Sequence, residues 1–182
     1  MREKAYELLT EYNKNESLVR HALAVEAVMR YFASKTGNDE DYWGEVGLLH
    51  DLDYELYPEQ HCRMTEKILK DKGYDEAFIR AVMSHGYGMC TDVEPELTME
   101  KVLYTIDELT GLVTAAAYMR PSRSVMDMEV KSVKKKFKDK AFAAGVNRDV
   151  ILSGCEMLGM DLDTVIAYTI EGMRSAADTL GL

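Results

Sequence analysis

The sequence predicts an all-α fold, and three observations support this prediction. Only three prolines occur in 182 residues, so long stretches of the chain are free to form helices. Apolar residues recur at steps of three and four positions, which is the spacing of one helix face. No segment shows the period-two alternation of a half-buried strand. The predicted architecture is a single bundle of about eight or nine helices.

The first half of the chain contains five predicted helices. The second of them is marked by apolar residues from Leu18 to Phe32 at helical spacing, and Gly37 follows its end. The fifth helix begins after Asp75, a residue type that caps helix N-termini. The first two predicted helices cover 2–12 and about 16–35. The third begins at Asn38 and runs through Leu49, and the last two cover 62–72 and 76–84.

The second half contains four predicted helices. Thr98 opens the most apolar helix of the chain, which ends near Met119. The remaining helices are expected near 129–142, 147–158 and 161–179. We expect residues 1–119 to form the core of the domain and residues 120–182 to form a C-terminal helical extension packed on it, as one globular unit.

Composition and charge exclude several classes of protein. The chain has 22 Lys and Arg against 32 Asp and Glu, a net charge of -10, which argues against nonspecific binding of nucleic acid or of anionic membranes. No apolar run approaches the roughly 20 residues that span a bilayer, and residues 1–4 do not begin a signal peptide. Three cysteines form no CxxC pair, so we expect a cytoplasmic protein with neither a disulfide framework nor a thiolate metal site.

A few polar residues lie where helix periodicity places the core. His21 shares a helix face with core positions, His50 and Asp51 end the apolar run 46–49, and Asp107 lies inside the most apolar helix. Burying an unpaired carboxylate costs several kcal/mol or raises its pKa by a few units. Both aspartates therefore need a positive partner.

A divalent metal ion would supply that partner for both aspartates. The nearest basic residues to Asp107, Lys101 and Arg120, lie more than a turn away and on another helix face. Imidazole and carboxylate groups from three helices can converge on one ion inside a bundle. The alternative for His21 taken alone is a hydrogen-bonded histidine of the core.

The ordered set His21, His50-Asp51 and Asp107 resembles the signature of the HD-domain superfamily of metal-dependent phosphohydrolases. The resemblance covers about residues 16–119 and implies an all-α HD-domain bundle. It also implies one or two divalent transition metal ions, drawn from Mn, Fe, Co, Ni or Zn. The implied ligands are His21, His50, Asp51 and Asp107 for one ion, with His61 and His85 added in two-metal members, where Asp51 bridges the ions.

The resemblance implies hydrolysis of a phosphoester, with a nucleotide or another small phosphorylated metabolite as substrate. Leu52-Asp53-Tyr54 follows the His-Asp pair where many members read Ile-Gly-Lys, so the substrate-facing lysine of the family is absent. Catalytic roles are expected for Asp51, which would orient the attacking water, and for Asp53, which would deliver a proton to the leaving group. Phosphate contacts are expected from two basic pairs, which are otherwise surface charges: Arg63 with Lys67, and Arg120 with Arg123.

Two other functions remain open at this stage. HD-fold oxygenases hold a di-iron centre with four His and two Asp, and the chain has this set. A non-catalytic metal- or nucleotide-binding module is the other alternative, with the basic segment 120–150 as a surface for a partner. His61 and His85 are alternatively a surface residue and a helix C-terminal imidazolium.

Overall fold

The computed structural model describes residues 2–182, and these residues form ten α-helices and no β-strand. The all-α prediction is confirmed. Two 3-10 helices, Pro58–Gln60 and Ser84–Gly86, lie between the α-helices. The α-helices are α1 (Arg2–Tyr12), α2 (Glu16–Thr36), α3 (Glu40–Leu48), α4 (Arg63–Asp71), α5 (Glu76–Met83), α6 (Thr98–Tyr118), α7 (Val130–Lys138), α8 (Arg148–Leu158), α9 (Leu162–Arg174) and α10 (Ala177–Leu180).

Helix boundaries differ from the prediction at two places in the second half. α7 ends at Lys138 rather than near 142, because the Arg148 guanidinium donates to the carbonyls of Phe137 and Asp139, each at 2.9 Å, and of Ala143 at 3.0 Å. These bonds stabilise a turn in place of a further helical turn. Arg148, part of the basic segment 120–150, therefore has a structural role.

The predicted helix 161–179 is two helices, α9 and α10. The hydroxyl of Ser175 donates to the Gly172 carbonyl at 2.6 Å and competes for a carbonyl that a continuing helix would use. The Arg174 side chain binds the Met128 carbonyl at 2.6 Å, which joins the end of α9 to the segment before α7.

Helices α2 and α6 are the longest, at 21 residues each, and the other helices pack around them. α3 and α9 pack on α2, and α7 and α8 pack on α6. The contacts of α7, α8 and α9 are thus made with the two helices that carry His21 and Asp107. None of the helices among residues 2–182 combines the length and apolar character that crossing a membrane needs.

Glycines allow these helices to approach one another closely. A Cβ at Gly47 of α3 would lie 2.8 Å from Met29 Cγ, and one at Gly172 of α9 would lie 2.7 Å from Val28 Cα. Both contacts are closer than carbon atoms tolerate, so α3 and α9 reach α2 only because these positions lack a side chain. The close approach at Gly47 brings the C-terminal end of α3, and the turn after it, against α2.

We predict that Gly172→Ala destabilises the fold by about 1–3 kcal/mol, because the added methyl group meets backbone atoms of α2 that can move only with the whole helix. The measurement is chemical denaturation. Gly111→Ala in α6 is the matched control, since its Cβ would enter open space, and alanine there should stabilise the helix by about 0.5–1 kcal/mol. Equal stability of the two variants would contradict the packing role of Gly172.

Candidate metal centre

Four side chains from three parts of the fold meet at one point, which we call the Asp107 cluster. His21 comes from α2, His50 and Asp51 come from the turn after α3, and Asp107 comes from α6. Asp107 Oδ1 lies 2.9 Å from His21 Nε2 and 3.2 Å from His50 Nε2. Asp51 Oδ2 lies 3.3 Å from His50 Nε2 and 3.9 Å from His21 Nε2. These ligand-type atoms lie within 4.8 Å of one another.

The second oxygen of Asp51 faces another pair of histidines, and these three residues form the His61–His85 triad. Asp51 Oδ1 lies 3.4 Å from His61 Nε2 and 3.3 Å from His85 Nε2, and the two Nε2 atoms are 3.3 Å apart. His61 follows the 3-10 helix Pro58–Gln60, and His85 lies in the 3-10 helix Ser84–Gly86. One carboxylate therefore connects two groups of ligand-type atoms.

The spacing and chemistry of both groups fit divalent metal ions. Ligand atoms around a tetrahedral ion with bonds of about 2.0–2.1 Å lie about 3.3–3.4 Å apart, and the edges of the His61–His85 triad have this length. His50 Nε2 is buried and makes no aligned hydrogen bond, although carboxylate oxygens lie nearby. A buried nitrogen without a hydrogen bond, aimed at two carboxylates, is the group that a cation would complete.

Hydrogen bonds on the other ring nitrogen orient three of the four histidines. His50 Nδ1 donates to the Gly47 carbonyl at 2.7 Å, and His85 Nδ1 donates to the Val82 carbonyl at 2.6 Å. His61 Nδ1 donates to Asp53 Oδ1 at 2.8 Å. Because each acceptor binds an Nδ1–H group, the neutral tautomer leaves the Nε2 lone pair toward the centre, as metal-ligating histidines require.

The histidines and the two aspartates of the centre shift one another's pKa values by electrostatic attraction. Burial by itself would lower the pKa of His50, but the carboxylates of Asp51 and Asp107 outweigh burial and raise that pKa well above its ordinary value. Burial would likewise raise the pKa of both aspartates. Attraction to His50, together with His85 for Asp51 and His21 for Asp107, instead lowers the pKa of each carboxyl.

The two groups open into a cleft of about 490 Å³, which is within the usual size of a small-molecule site. No Lys or Arg belongs to its lining, as far as residues 2–182 are concerned. A larger cavity of about 650 Å³ lies between α1, α3 and α5, but it contains no histidine and shares no residue with the cleft. The cleft is lined by His21, Asp51, Tyr54, Pro58, His61, His85, Gly86, Met89, Cys90, Asp107, Glu108, Gly111 and Val146.

The structure does not bring the expected phosphate-binding residues to the cleft. Arg63 and Lys67 lie on α4 with exposed side chains and are absent from the lining. Arg120 is bound to the side chain of Asp127 at 3.0 Å, and the Arg123 guanidinium lies over a tyrosine ring. None of these four side chains belongs to the lining of the cleft.

Asp53 also differs from its expected role as a proton donor. Its side chain is fully buried and does not line the cleft. One carboxylate oxygen accepts from His61, and the other accepts from the backbone N–H of Thr65 at 2.8 Å. Because both oxygens are engaged behind the histidine, Asp53 is a residue that positions His61.

Sequence reasoning missed two polar groups in the cleft. The Tyr54 ring packs edge-on against His61 with centroids 5.1 Å apart, and its side chain is half exposed. Glu108 lies beside Asp107, and burial raises the pKa of its carboxyl. Adjacency to Asp107 was the signal available for Glu108. No periodicity places Tyr54, because it lies in the turn after α3.

The expectation of unpaired cysteines was wrong for two of the three. Cys62 and Cys90 form a disulfide with Cα atoms 6.3 Å apart, and Cys155 is free and buried in α8. The paired residues are 28 positions apart and belong to no recognisable motif. The fold alone brings them together.

Comparison with known proteins agrees with this geometry. A family model described as HD domain matches residues 18–112, slightly more than half of the chain. No curated protein and no solved structure gives a significant match to the chain.

We predict that the apparent affinity for Mn²⁺ rises with pH between about pH 6 and pH 8. The carboxylates of Asp51 and Asp107 raise the pKa of His50, which favours a proton on this residue in the metal-free protein, and a metal ion has to displace that proton. Asp51 and Asp107 have lowered pKa values, so they stay ionised and add no proton competition. Calorimetric titration at several pH values measures the effect.

The control for this titration is a small chelator of known protonation constants, which corrects for the pH behaviour of the ion itself. Two buffers of different ionisation enthalpy should also show proton release on binding. An affinity that is constant or falls over this range would contradict the assignment of a protonated His50.

We predict that Asp53→Asn weakens the binding of a second metal ion by about 10–100-fold and leaves the first ion in place. An asparagine at this position loses the charge that orients His61, and its NH₂ group would face the N–H of Thr65. Elemental analysis after gel filtration and calorimetry measure the two ions separately. Asp71→Asn, at an exposed position of α4, is the matched control, and unchanged binding of the second ion would exclude the positioning role.

Proposed function

Because the chain belongs to the HD-domain family, whose members are generally metal-dependent hydrolases, we propose that it hydrolyses a phosphoester bond of a nucleotide or of another small phosphorylated metabolite. The observation that carries the proposal is the position of Asp51. Its two oxygens face two separate groups of ligand-type atoms, the Asp107 cluster and the His61–His85 triad. Paired ions serve many enzymes that cleave phosphoesters.

The two groups divide the metal ligands between them. His21, His50 and Asp107 would hold one ion, His61 and His85 would hold the other, and Asp51 would contact both. Bound there, divalent ions neutralise phosphate charge and lower the pKa of coordinated water toward neutrality. The histidines would keep their Nε2 atoms toward the ions, since Gly47, Val82 and Asp53 accept their Nδ1–H groups.

The charges of the cleft support a strictly metal-dependent reaction on a small substrate. The lining supplies carboxylates from Asp51, Asp107 and Glu108 and, in the described part of the chain, no Lys or Arg. A phosphate group entering this cleft meets no permanently charged Lys or Arg, so bound cations would supply the positive charge that it needs. The volume of about 490 Å³ suits a substrate of nucleotide size.

Two cleft side chains outside the ligand groups could exchange a proton with the leaving group. The phenol of Tyr54 stands at the edge of the His61–His85 triad, and the Glu108 carboxyl stands beside the Asp107 cluster. Both line the cleft, in contrast to Asp53, and general acid catalysis requires contact with the group that receives the proton. We assign this role to one of these two residues.

The test is a panel of nucleotides and sugar phosphates assayed with Mn²⁺, Fe²⁺, Co²⁺, Ni²⁺ and Mg²⁺, with released phosphate as the readout. We predict metal-dependent hydrolysis of at least one substrate, and a loss of at least about 100-fold in Asp107→Asn. The amide keeps the size of the carboxylate and removes the charge that faces His21 and His50. Metal content should fall in parallel.

Asp127→Asn is the matched control, since Asp127 pairs with Arg120 outside the cleft and its replacement should leave hydrolysis intact. Oxygen consumption with a cyclic polyol by the iron-loaded protein, with no phosphate release from any substrate, would favour the oxygenase alternative. Metal uptake without turnover of any compound would favour a binding module. Either result would overturn the hydrolase proposal.

A further inference from the structure

Two cysteines border the His61–His85 triad, and the proposed reaction uses neither of them. Cys62 directly follows His61 and is fully buried, whereas Cys90 is exposed and lines the cleft. Cys62 Sγ lies 4.0 Å from His85 Nε2. The sulfur atoms are therefore neighbours of imidazoles that have their own proposed role as metal ligands.

We propose that Cys62 and Cys90, when reduced, form with His61 and His85 a Cys₂His₂ site for zinc, which the disulfide between the two cysteines abolishes. The inference rests on the proposed function to the extent that it shares both histidines with the Asp51-bridged centre. It adds a second metal chemistry to that centre and makes it dependent on thiol oxidation.

The distances bring His61 and the two cysteines together, with His85 beside them. Ligand atoms of His61, Cys62 and Cys90 lie within 4.8 Å of one another. His85 Nε2 lies 3.3 Å from His61 Nε2 and 4.0 Å from Cys62 Sγ but is outside that group, so the side chains have to rearrange for all four to bind one ion. Around a tetrahedral zinc ion, with bonds of about 2.3 Å to sulfur and about 2.0–2.1 Å to nitrogen, the ligand atoms are about 3.3–3.8 Å apart. Cα atoms 6.3 Å apart leave both thiolates able to reach that spacing by side-chain rotation.

Two backbone features hold the sulfur atoms beside the histidines. Cys62 has φ +69°, a left-handed conformation that residues with a Cβ rarely adopt, and its side chain and that of His61 both approach His85. A Cβ on Gly86 would lie 2.8 Å from Cys62 Sγ and closer still to Cys90 Sγ. Only glycine leaves room for both sulfurs next to His85.

The turn after His85 brings Cys90 back beside Gly86 and Cys62. The carbonyl of Gly86 accepts from the backbone N–H groups of Met89 and Cys90 at 2.9 Å and of Thr91 at 3.1 Å. The hydroxyl of Thr91 donates to the Met83 carbonyl at 3.1 Å, which joins the turn to the end of α5. Cys90 itself lies outside any helix, so its side chain can rotate without disturbing one.

The donor atoms determine which metal each arrangement prefers. Thiolates are soft ligands that favour zinc, whereas the carboxylate of Asp51 suits harder ions such as Mn²⁺. A zinc ion bound by both thiolates draws His61 and His85 away from Asp51, because each Nε2 atom has one lone pair. The thiolate site and the His61–His85 triad are thus mutually exclusive.

Thiol–disulfide exchange interconverts the two forms. A small thiol, as its thiolate, attacks Cys90 Sγ, which belongs to an exposed residue, and the S–S bond breaks to release the Cys62 thiolate. A second thiol then releases Cys90, so that two thiols are oxidised to one small disulfide while the protein disulfide becomes two thiols. Zinc binding to those thiols releases two protons. In reducing compartments, disulfides are typically transient and redox-sensing.

The test uses Co²⁺ as a spectroscopic probe on the whole 182-residue chain. Thiolate coordination gives sulfur-to-cobalt charge-transfer absorption in the near ultraviolet, which histidine and carboxylate ligands do not give. We expect this absorption in reduced protein, its loss on displacement by Zn²⁺, and none in protein oxidised to the disulfide. Cys62→Ser and Cys90→Ser should each weaken it, the double variant should abolish it, and Cys155→Ala, on α8 outside the cleft, should retain it.

A second measurement on unmutated protein covers the case in which a cysteine variant fails to fold. Zinc should protect Cys90, the exposed cysteine of the pair, from alkylation in reduced protein, as followed by mass spectrometry, and a chelator should remove the protection. Reduced, zinc-loaded protein should also bind about one Mn²⁺ fewer than oxidised protein. Absence of the charge-transfer band in reduced protein, or of zinc protection, would overturn the proposal.

The oxidised protein tests the proposed function separately. Uptake of Mn²⁺ by the disulfide form supports the centre built around Asp51, whatever the result with thiolates. If the oxidised protein binds no metal and the reduced protein shows the cobalt band, the thiolate site stands and the phosphohydrolase proposal fails.

Discussion

Two carboxylates held among apolar helices impose the main constraint on this protein. Asp51 and Asp107 are only 20% and 16% exposed, and within the described chain their charged partners are all histidines. Desolvation of a carboxylate is tolerated only when opposite charge lies close by. A permanently charged Lys or Arg would satisfy these aspartates and leave no role for a metal ion. Histidine neutralises them while it remains exchangeable for a metal, since imidazole binds a proton or an ion through the same nitrogen.

The helical bundle keeps this centre in place through contacts that carry no chemistry themselves. Gly47 lets α3 reach α2, and its carbonyl then orients His50. The carbonyl of Val82, near the end of α5, orients His85, and the carboxylate of Asp53 orients His61. The ligand-type nitrogens of His50, His61 and His85 are therefore each set by a group that belongs to the backbone or the interior. Such preorganisation is what a site needs if bound ions are to keep fixed positions during a reaction.

The two proposals meet at the His61–His85 triad. The Asp107 cluster draws its ligands from two long packed helices and a turn fixed between them, whereas both histidines of the triad lie in short 3-10 segments. The cysteines border this second group and stand apart from the first. If one ion is firmly held and the other is exchangeable, hydrolysis would depend on whether Cys62 and Cys90 are reduced or joined in a disulfide. The change would be local, because it exchanges ligands without rearranging the bundle.

The sequence by itself determined the helical fold, the ordered His and Asp residues and the family. Helical periodicity places the core stripes of α2 and α6, and those stripes contain His21 and Asp107. Sequence patterns did not predict features that depend on side-chain contacts outside the local helix. Arg148 ends α7 by binding its carbonyls, Asp127 engages Arg120 away from the cleft, and Cys62 meets Cys90 across 28 positions.

Only the tertiary structure could show that Asp53 lies behind His61 and that Tyr54, the next residue, lies in front of it. These two residues belong to an irregular turn, where no period relates sequence position to direction. The same holds for the cleft as a whole, since its lining comes from α2, α6, the two 3-10 helices and loops that are remote from one another in sequence. Periodicity encodes which face of a helix is buried. The contacts between loops depend on how the helices pack, and that is set by the shapes of all their surfaces together.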